Sequence, residues 1–531
     1  MERYVIGVDV GTGSARAGVF DSTGRMSGQA KRDIALWEAA GGVVEQSSAD
    51  IWAAVCASVR AAVAQAGIDP AQVAGLGFDA TCSLVVLGAG GTPLPVGPSE
   101  DPARDIIVWM DHRATAEAAL INAGGHKVLD YVGGRISPEM ETPKLLWLAT
   151  HRPATFAQAW QFFDLADFLT WKATGSLDRS ACTVTCKWTY LAHEDRWDGD
   201  YFRAIGLGVL ADEGFARIGT TIRAAGAPLG TGLTAKAAQD LGLPAGIAVG
   251  AGLIDAHAGG IATAGIAGPA TDTLAYVFGT SSCTMTTTRD PVFVPGVWGP
   301  YYNAMVAGMW LNEGGQSAAG AAIARLLALH PAAAAATAQA QSAGRSLPDW
   351  LAAKAGDKGL SAAILRARGL HVVPEFLGNR APFADPDARA VIAGLGMAQD
   401  IDSLVALYVA GLAGIGYGLR QIIATQAAHG APVRQIAISG GAGQGDLVRQ
   451  LLADATGLPV LASETEEPVL LGAAMLGALA AGLYPDMASA MARMSHAGRR
   501  YDPAGAEIAV VHDQRFSAFT ALQETARHLP R

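Results

Sequence analysis

A chain of 531 residues is too long for one hydrophobic core. Half of it is apolar and only 16% is charged, which excludes a disordered protein and points to two packed domains. The formal net charge of −10 argues against nucleic acid or an anionic membrane as the main partner, while small anionic ligands held by local N–H groups stay within reach.

Met1-Glu2-Arg3 leads directly into an apolar run, with nothing resembling a signal peptide. Gly7-Val8-Asp9-Val10-Gly11-Thr12-Gly13-Ser14 then predicts a hairpin, its second strand running from Ala15 to Phe20. A helix follows with Ile51, Trp52, Val55, Val59 and Val63 on one face, stops at Gly67, and leads into a strand from Val73 to Asp79. Tyr276-Val277-Phe278-Gly279-Thr280-Ser281-Ser282 repeats the hairpin, with Cys283 to Thr288 as its second strand. Ala332 to Ala340 reads as a surface helix. Asp402 to His429 predicts a long helix, followed by a buried strand at Gln435–Ser439, the loop Gly440 to Gly445 and a helix from Asp446. The apolar runs Leu404 to Leu419 and Val469 to Tyr484 are shorter than the ~20 residues a bilayer requires and are expected to be buried helices.

Both hairpin turns can hold phosphate oxygens, because convergent backbone N–H groups favour an anion and glycines let it approach. Two such turns at half-chain spacing predict duplicated α/β domains gripping a nucleotide from both sides. Domains are expected at 1–262 and 263–488, with the connection in the Gly259 to Thr271 region and a polar C-terminal extension at 489–531. Cysteines 56, 82, 182, 186 and 283 form no even framework, so a reduced, cytoplasmic setting is expected. Cys182 and Cys186 have C-x3-C spacing, but without a second ligand pair a metal site there is not expected.

Six collinear segments resemble the FGGY family of carbohydrate kinases. They are the Gly7 to Ser14 turn, Ile107-Val108-Trp109-Met110-Asp111-His112-Arg113, Gly252-Leu253-Ile254-Asp255-Ala256-His257-Ala258-Gly259, Gly279-Thr280-Ser281, Phe376-Leu377-Gly378-Asn379-Arg380-Ala381-Pro382, and Ser439-Gly440-Gly441-Ala442-Gly443. Ser137 to Lys144, Phe162 to Leu165, Cys186 to Tyr190 and Glu313 to Ser317 are similar to the ribulokinase and ribitol kinase branch. The resemblance implies two actin/hexokinase-like, ribonuclease H-like domains around a cleft. It also implies ATP and Mg2+ as cofactors, with transfer to the terminal hydroxyl of a pentulose, D-ribulose first. Ribitol, L-ribulose and xylulose remain alternatives, as does a non-catalytic sugar sensor on the same fold. No nucleic-acid or membrane partner is implied, and a homodimer is left open.

The resemblance gives each residue an expected role. Asp255 is the expected general base, though its position before Ala256 equally suits a helix N-cap. Asp9 and Asp255 are expected near Mg2+, the alternative for Asp9 being a solvated turn aspartate. Gly11, Thr12, Gly13, Gly279, Thr280 and Ser281 are assigned to the phosphates, and Gly440, Gly441 and Gln444 to the nucleoside. Gly445 stands where many members carry Asn or Ser. Cys82, Lys187, Asp255 and Glu313 are assigned to the sugar, Cys82 as a small apolar wall rather than a reactive thiol. Asp111, His112 and Arg113 fit either a sugar-facing or a domain-bracing cluster, and Arg380 is read as a brace. Trp52, Trp147, Trp160 and Trp171 are read as core.

Overall fold

A computed structural model describes residues 3–529; Met1 and Glu2 lie outside the described residues. Two sheets share one plan. In the first, Tyr4–Val10 pairs antiparallel with Ser14–Asp21, which pairs with Met26–Asp33. On its other side Tyr4–Val10 runs parallel to Val73–Ala80, followed by the short strands Ala248–Val249 and Leu253–Ile254. In the second, Thr273–Phe278 pairs antiparallel with Ser282–Thr288, and that strand with Trp310–Gln316. Thr273–Phe278 in turn runs parallel to Gln435–Ser439, which is parallel to Val460–Ser463. The order antiparallel, antiparallel, central, parallel, parallel thus occurs twice, as the paired turn motifs predict.

The helices follow their patterns. Ser48–Ala66 buries Ile51, Trp52, Val55, Val59 and Val63, is capped by Ser47, and stops at Gly67, whose φ of 66° suits glycine. Ile401–Ala428 is long and apolar enough to cross a membrane, yet most of its apolar stretch is buried inside the protein. Ala333–Ser342 is a helix that buries Ala336 and Ala340. Residues after 489 do not stand apart: Ala497–Tyr501 pairs antiparallel with Val460–Ser463 as an edge strand. The Ala506–Arg527 helix covers that half, with Phe519 in its core.

Two helices cross between the halves. Asp255–Ala264 packs against Thr273–Phe278 of the second sheet, while Pro468–Ala480 packs against Val73–Ala80 and Tyr4–Val10 of the first. The approach is backbone to backbone: a Cβ at Gly77 would lie 1.9 Å from the Ala473 carbonyl oxygen, and one at Gly472 would lie 1.9 Å from that of Ala258. Glycine is therefore required where the helices seat. This exchange fixes the strand ends of both sheets around one cleft. Gly259 and Gly260 lie inside the first of these helices, so the connection between the halves is the turn-rich segment at 265–272.

Candidate active site

The cleft holds a cavity of about 330 Å³ lined by residues from both halves. Of the expected site residues, the fold brings Asp9, Gly11, Thr12, Cys82, Lys187, Asp255, Ser281 and Glu313 to its wall. Gly13, Gly279, Thr280, Gly440, Gly441 and Gln444 are not part of that wall. Gly440 lies against the Phe278 backbone, and Ala442 faces Gly320 beside Gly279, so the glycine loop adjoins the second turn on its outer side.

Both turns are braced. Gly11 N–H donates to the Ser14 carbonyl at 3.0 Å, and Gly279 N–H to that of Ser281 at 2.9 Å. Gln46 Nε2 donates to the Thr12 carbonyl at 2.7 Å, and Trp109 Nε1 to Thr12 Oγ1 at 2.9 Å, leaving the threonine proton free to point at a ligand. The Thr280 carbonyl accepts from Ala319 and Ala321 N–H.

Three carboxylates meet at the strand ends. Asp9 and Asp79 are register partners on neighbouring parallel strands, and Asp255 follows the next strand, Leu253–Ile254. Asp9 is a buried strand residue, not a solvated turn aspartate. Arg16 Nε donates to Asp9 Oδ2 at 2.7 Å, and Arg16 Nη1 to Glu467 Oε2 at 2.6 Å, tying the first hairpin to the start of the Pro468–Ala480 helix. Asp79 is fully buried, and among the described residues neither of its oxygens has a hydrogen-bond partner. Burial, then the charges of Asp9 and Asp255, push its carboxyl well above the usual range. Asp255 rises to about 6, chiefly from burial and then from Asp9, against the Ala256 N–H and the positive charge of Lys187. Asp255 is the first residue of its helix rather than its N-cap, which is Ile254, and its Oδ1 accepts from Ala256 N–H at 2.7 Å. The capping alternative is therefore replaced by a local hydrogen bond that leaves Oδ2 without a protein partner among the hydrogen bonds of the described residues. Closely grouped hard oxygen donors, three of them unpartnered among the described residues, fit Mg2+.

Lys187 and Glu313 line the same cavity and are both buried. Burial alone would raise Glu313, but the His257 N–H, Lys187 and Arg380 bring it down to about 2. His257 Nε2 lies 3.2 Å from Glu313 Oε2. Lys187 Nζ lies 5.3 Å from the Trp298 ring centre, and the Arg380 guanidinium stands 5.5 Å from the same ring. Burial pushes the Cys82 thiol up, so it is an inert wall.

Other expectations change. Arg113 is buried and pairs with Asp111 and Glu45 while donating to the Val96 carbonyl, and Asp111 accepts from Val44 N–H. Asp111 and Arg113 thus brace the interior of the first half, while His112 Nε2 lies 3.5 Å from Glu139 Oε1, a residue of the cavity wall. Arg380 lines the cavity, its Nη1 3.7 Å from Cys283 Sγ. Trp52 is buried, and Trp147, Trp160 and Trp171 are half-buried away from the cavity; its aromatic walls are Trp109 and Trp298 instead. Asp79, Arg16, Trp298 and Glu139 were missed by sequence reasoning. Asp79 carried a signal: Gly77-Phe78-Asp79 repeats Gly7-Val8-Asp9 on the paired strand.

Two Gly-Thr turns at a carboxylate-lined cleft, each on one copy of a twice-repeated sheet, fit a sugar kinase of the actin/hexokinase-like class. The chain belongs to the FGGY family of carbohydrate kinases: residues 4–262 match its N-terminal domain and 274–481 its C-terminal domain. It is 45% identical to the human FGGY carbohydrate kinase domain-containing protein, across 98% of this chain and 96% of that one. It is 39% identical to a D-ribulokinase of Saccharomyces cerevisiae, across 90% of this chain and 72% of that one. In fold it is similar to a xylulose kinase from Rhodospirillum rubrum, with a TM-score of 0.81, 23% identity and 99% of each chain covered. It is likewise similar to Plasmodium falciparum glycerol kinase, with a TM-score of 0.79, 15% identity, and 100% of this chain and 99% of that one covered.

Proposed function

We propose that this carbohydrate kinase transfers the γ-phosphoryl group of ATP to the terminal hydroxyl of D-ribulose, giving D-ribulose 5-phosphate and ADP. The observation that carries the reading is that buried Lys187 and Glu313 line the same interdomain cavity as Asp255, a cavity of about 330 Å³ with room for a pentulose. The 39% identity to a yeast D-ribulokinase supports the choice of sugar. A polyhydroxylated substrate needs a few fixed donors and acceptors on a largely apolar wall. Lys187 donates, Glu313 accepts, and Cys82 and Trp298 supply the apolar surface.

Asp255 accepts the proton of the attacking hydroxyl as its oxygen bonds to the γ-phosphorus and the bond to ADP breaks. Thr12, Gly13, Thr280 and Ser281 offer N–H and hydroxyl donors to the phosphates, while Gly11 and Gly279, whose own N–H groups close the turns, let the phosphates approach the backbone; Gly440, Gly441 and Gln444 lie along the nucleoside. Mg2+, when bound, neutralises phosphate charge, and Asp9 and Asp255, with Asp79 behind them, are the residues to hold it. Closure of the halves excludes the water that would otherwise take the phosphoryl group. Five free cysteines support a reduced cytoplasmic setting. The test is phosphorus NMR of the product formed from D-ribulose and MgATP. A phosphate ester on the terminal carbon supports the reading, and ATP consumed to ADP and inorganic phosphate alone contradicts it.

A further inference from the structure

The Ala181–Lys187 helix carries Cys182 and Cys186 four residues apart, which places both sulphurs on one face. The sequence lacks a second ligand pair nearby, but the fold supplies a third donor from elsewhere. His257, from the Asp255–Ala264 helix, brings Nδ1 to 3.0 Å from Cys182 Sγ. The three donor atoms lie within 4.8 Å of one another, and all three residues are buried. Atoms bound to one tetrahedral zinc stand roughly 3.5 Å apart, given bond lengths of about 2.3 Å to sulphur and 2.0 Å to nitrogen. The observed grouping is close to that without any rearrangement of the helices.

A second observation points the same way. The outer nitrogen of His257, Nε2, faces Glu313 Oε2 at 3.2 Å. An ionised carboxylate only accepts, so it holds the proton on Nε2 and turns Nδ1 towards the sulphurs. Metal-bound imidazoles are oriented by this kind of outer carboxylate.

We propose that Cys182, Cys186 and His257 form a binding site for a thiophilic divalent cation of the zinc type. Two thiolates balance its charge, so the loaded site adds no net charge to the core. Sulphur and imidazole donors discriminate against Mg2+, which separates this site from the carboxylates of the phosphate side. The ion joins the helix that ends in Lys187 to the helix that begins with Asp255, fixing the sugar lysine relative to the proposed base. Among the described residues no fourth His, Cys, Asp or Glu joins the group.

The test uses the full chain without sugar or nucleotide, so its outcome is independent of kinase activity. Reduced, chelator-treated protein is titrated with Cd2+ while the ultraviolet thiolate-to-cadmium charge-transfer band is followed. Zn2+ is then competed against it. One equivalent is expected, with the band lost in Cys182→Ser and Cys186→Ser and kept in Cys56→Ser. If either serine variant fails to fold, X-ray absorption at the zinc edge of the wild-type complex decides the matter. Two sulphurs with one nitrogen in the inner shell support the site, and a shell of nitrogen and oxygen alone overturns it. No saturable band, or a band surviving in both serine variants, also overturns it.

Discussion

Replacing Asp255 by Asn should move activity and stability in opposite directions. Asn keeps the size of the side chain and an oxygen for the Ala256 N–H, but it cannot take up the hydroxyl proton. Loss of a positioned base costs roughly 10²–10⁴-fold in kcat. Stability should rise, because the half-buried carboxylate stands beside Asp9 and its pKa climbs from 3.8 to about 6. At about 1.4 kcal/mol per unit, the ionised form costs the fold roughly 3 kcal/mol. The sign follows from the raised folded value. The proton-bound form stabilises the fold fully below pH 3.8, and that contribution is lost as pH rises through about 6. Wild type and Asp255→Asn should therefore melt together near pH 4, while the variant melts higher above pH 7. Thermal melts at both pH values and a coupled ADP-release assay measure the two effects. Near-normal kcat in a folded variant, or a melt that drops at pH 7, would refute the reasoning.

The same carboxyl sets a pH profile. kcat/KM for the sugar reports the free enzyme, so its acid limb should fall below about pH 6 and be absent from the residual activity of Asp255→Asn. Glu313→Gln should raise the sugar KM at least tenfold with little change in the ATP KM; equal loss toward both substrates would assign Glu313 to structure. Lys187 is a buried cation whose charge helps to hold Glu313 ionised, so Lys187→Ala should lower the melting temperature as well as sugar affinity. Unchanged stability would show that Glu313 is compensated by His257 and Arg380 alone. Small-angle scattering should show the radius of gyration falling when sugar and a non-hydrolysable ATP analogue bind together, and an unchanged radius with both sites filled would contradict closure.

Elements with a strong local signal were legible in the chain. The helix ending at Gly67, the Gln435–Ser439 strand and the helix from Asp446 lie where periodicity and glycine stops place them. Both Gly-Thr turns join paired strands as their composition indicates. What escaped depends on contacts between distant residues. Nothing local to Arg16 shows that it bridges Asp9 to Glu467, 451 positions away. Asp111 and Arg113 look like a functional cluster because charged residues are seldom buried, but Glu45 and the Val96 carbonyl satisfy them inside the first half. The exchange of the two crossing helices is written only in glycines such as Gly77 and Gly472, whose purpose appears once the opposing carbonyls are in place. Cys182 and Cys186 gain a third donor only when the Asp255–Ala264 helix packs beside them.

The most direct test of the account is sugar-dependent ADP release with MgATP across D-ribulose, L-ribulose, D-xylulose, ribitol and glycerol, compared by kcat/KM. The account predicts D-ribulose first by at least tenfold, with that preference lost in Glu313→Gln. A higher kcat/KM for glycerol or D-xylulose, or ADP release that no sugar stimulates, would contradict it.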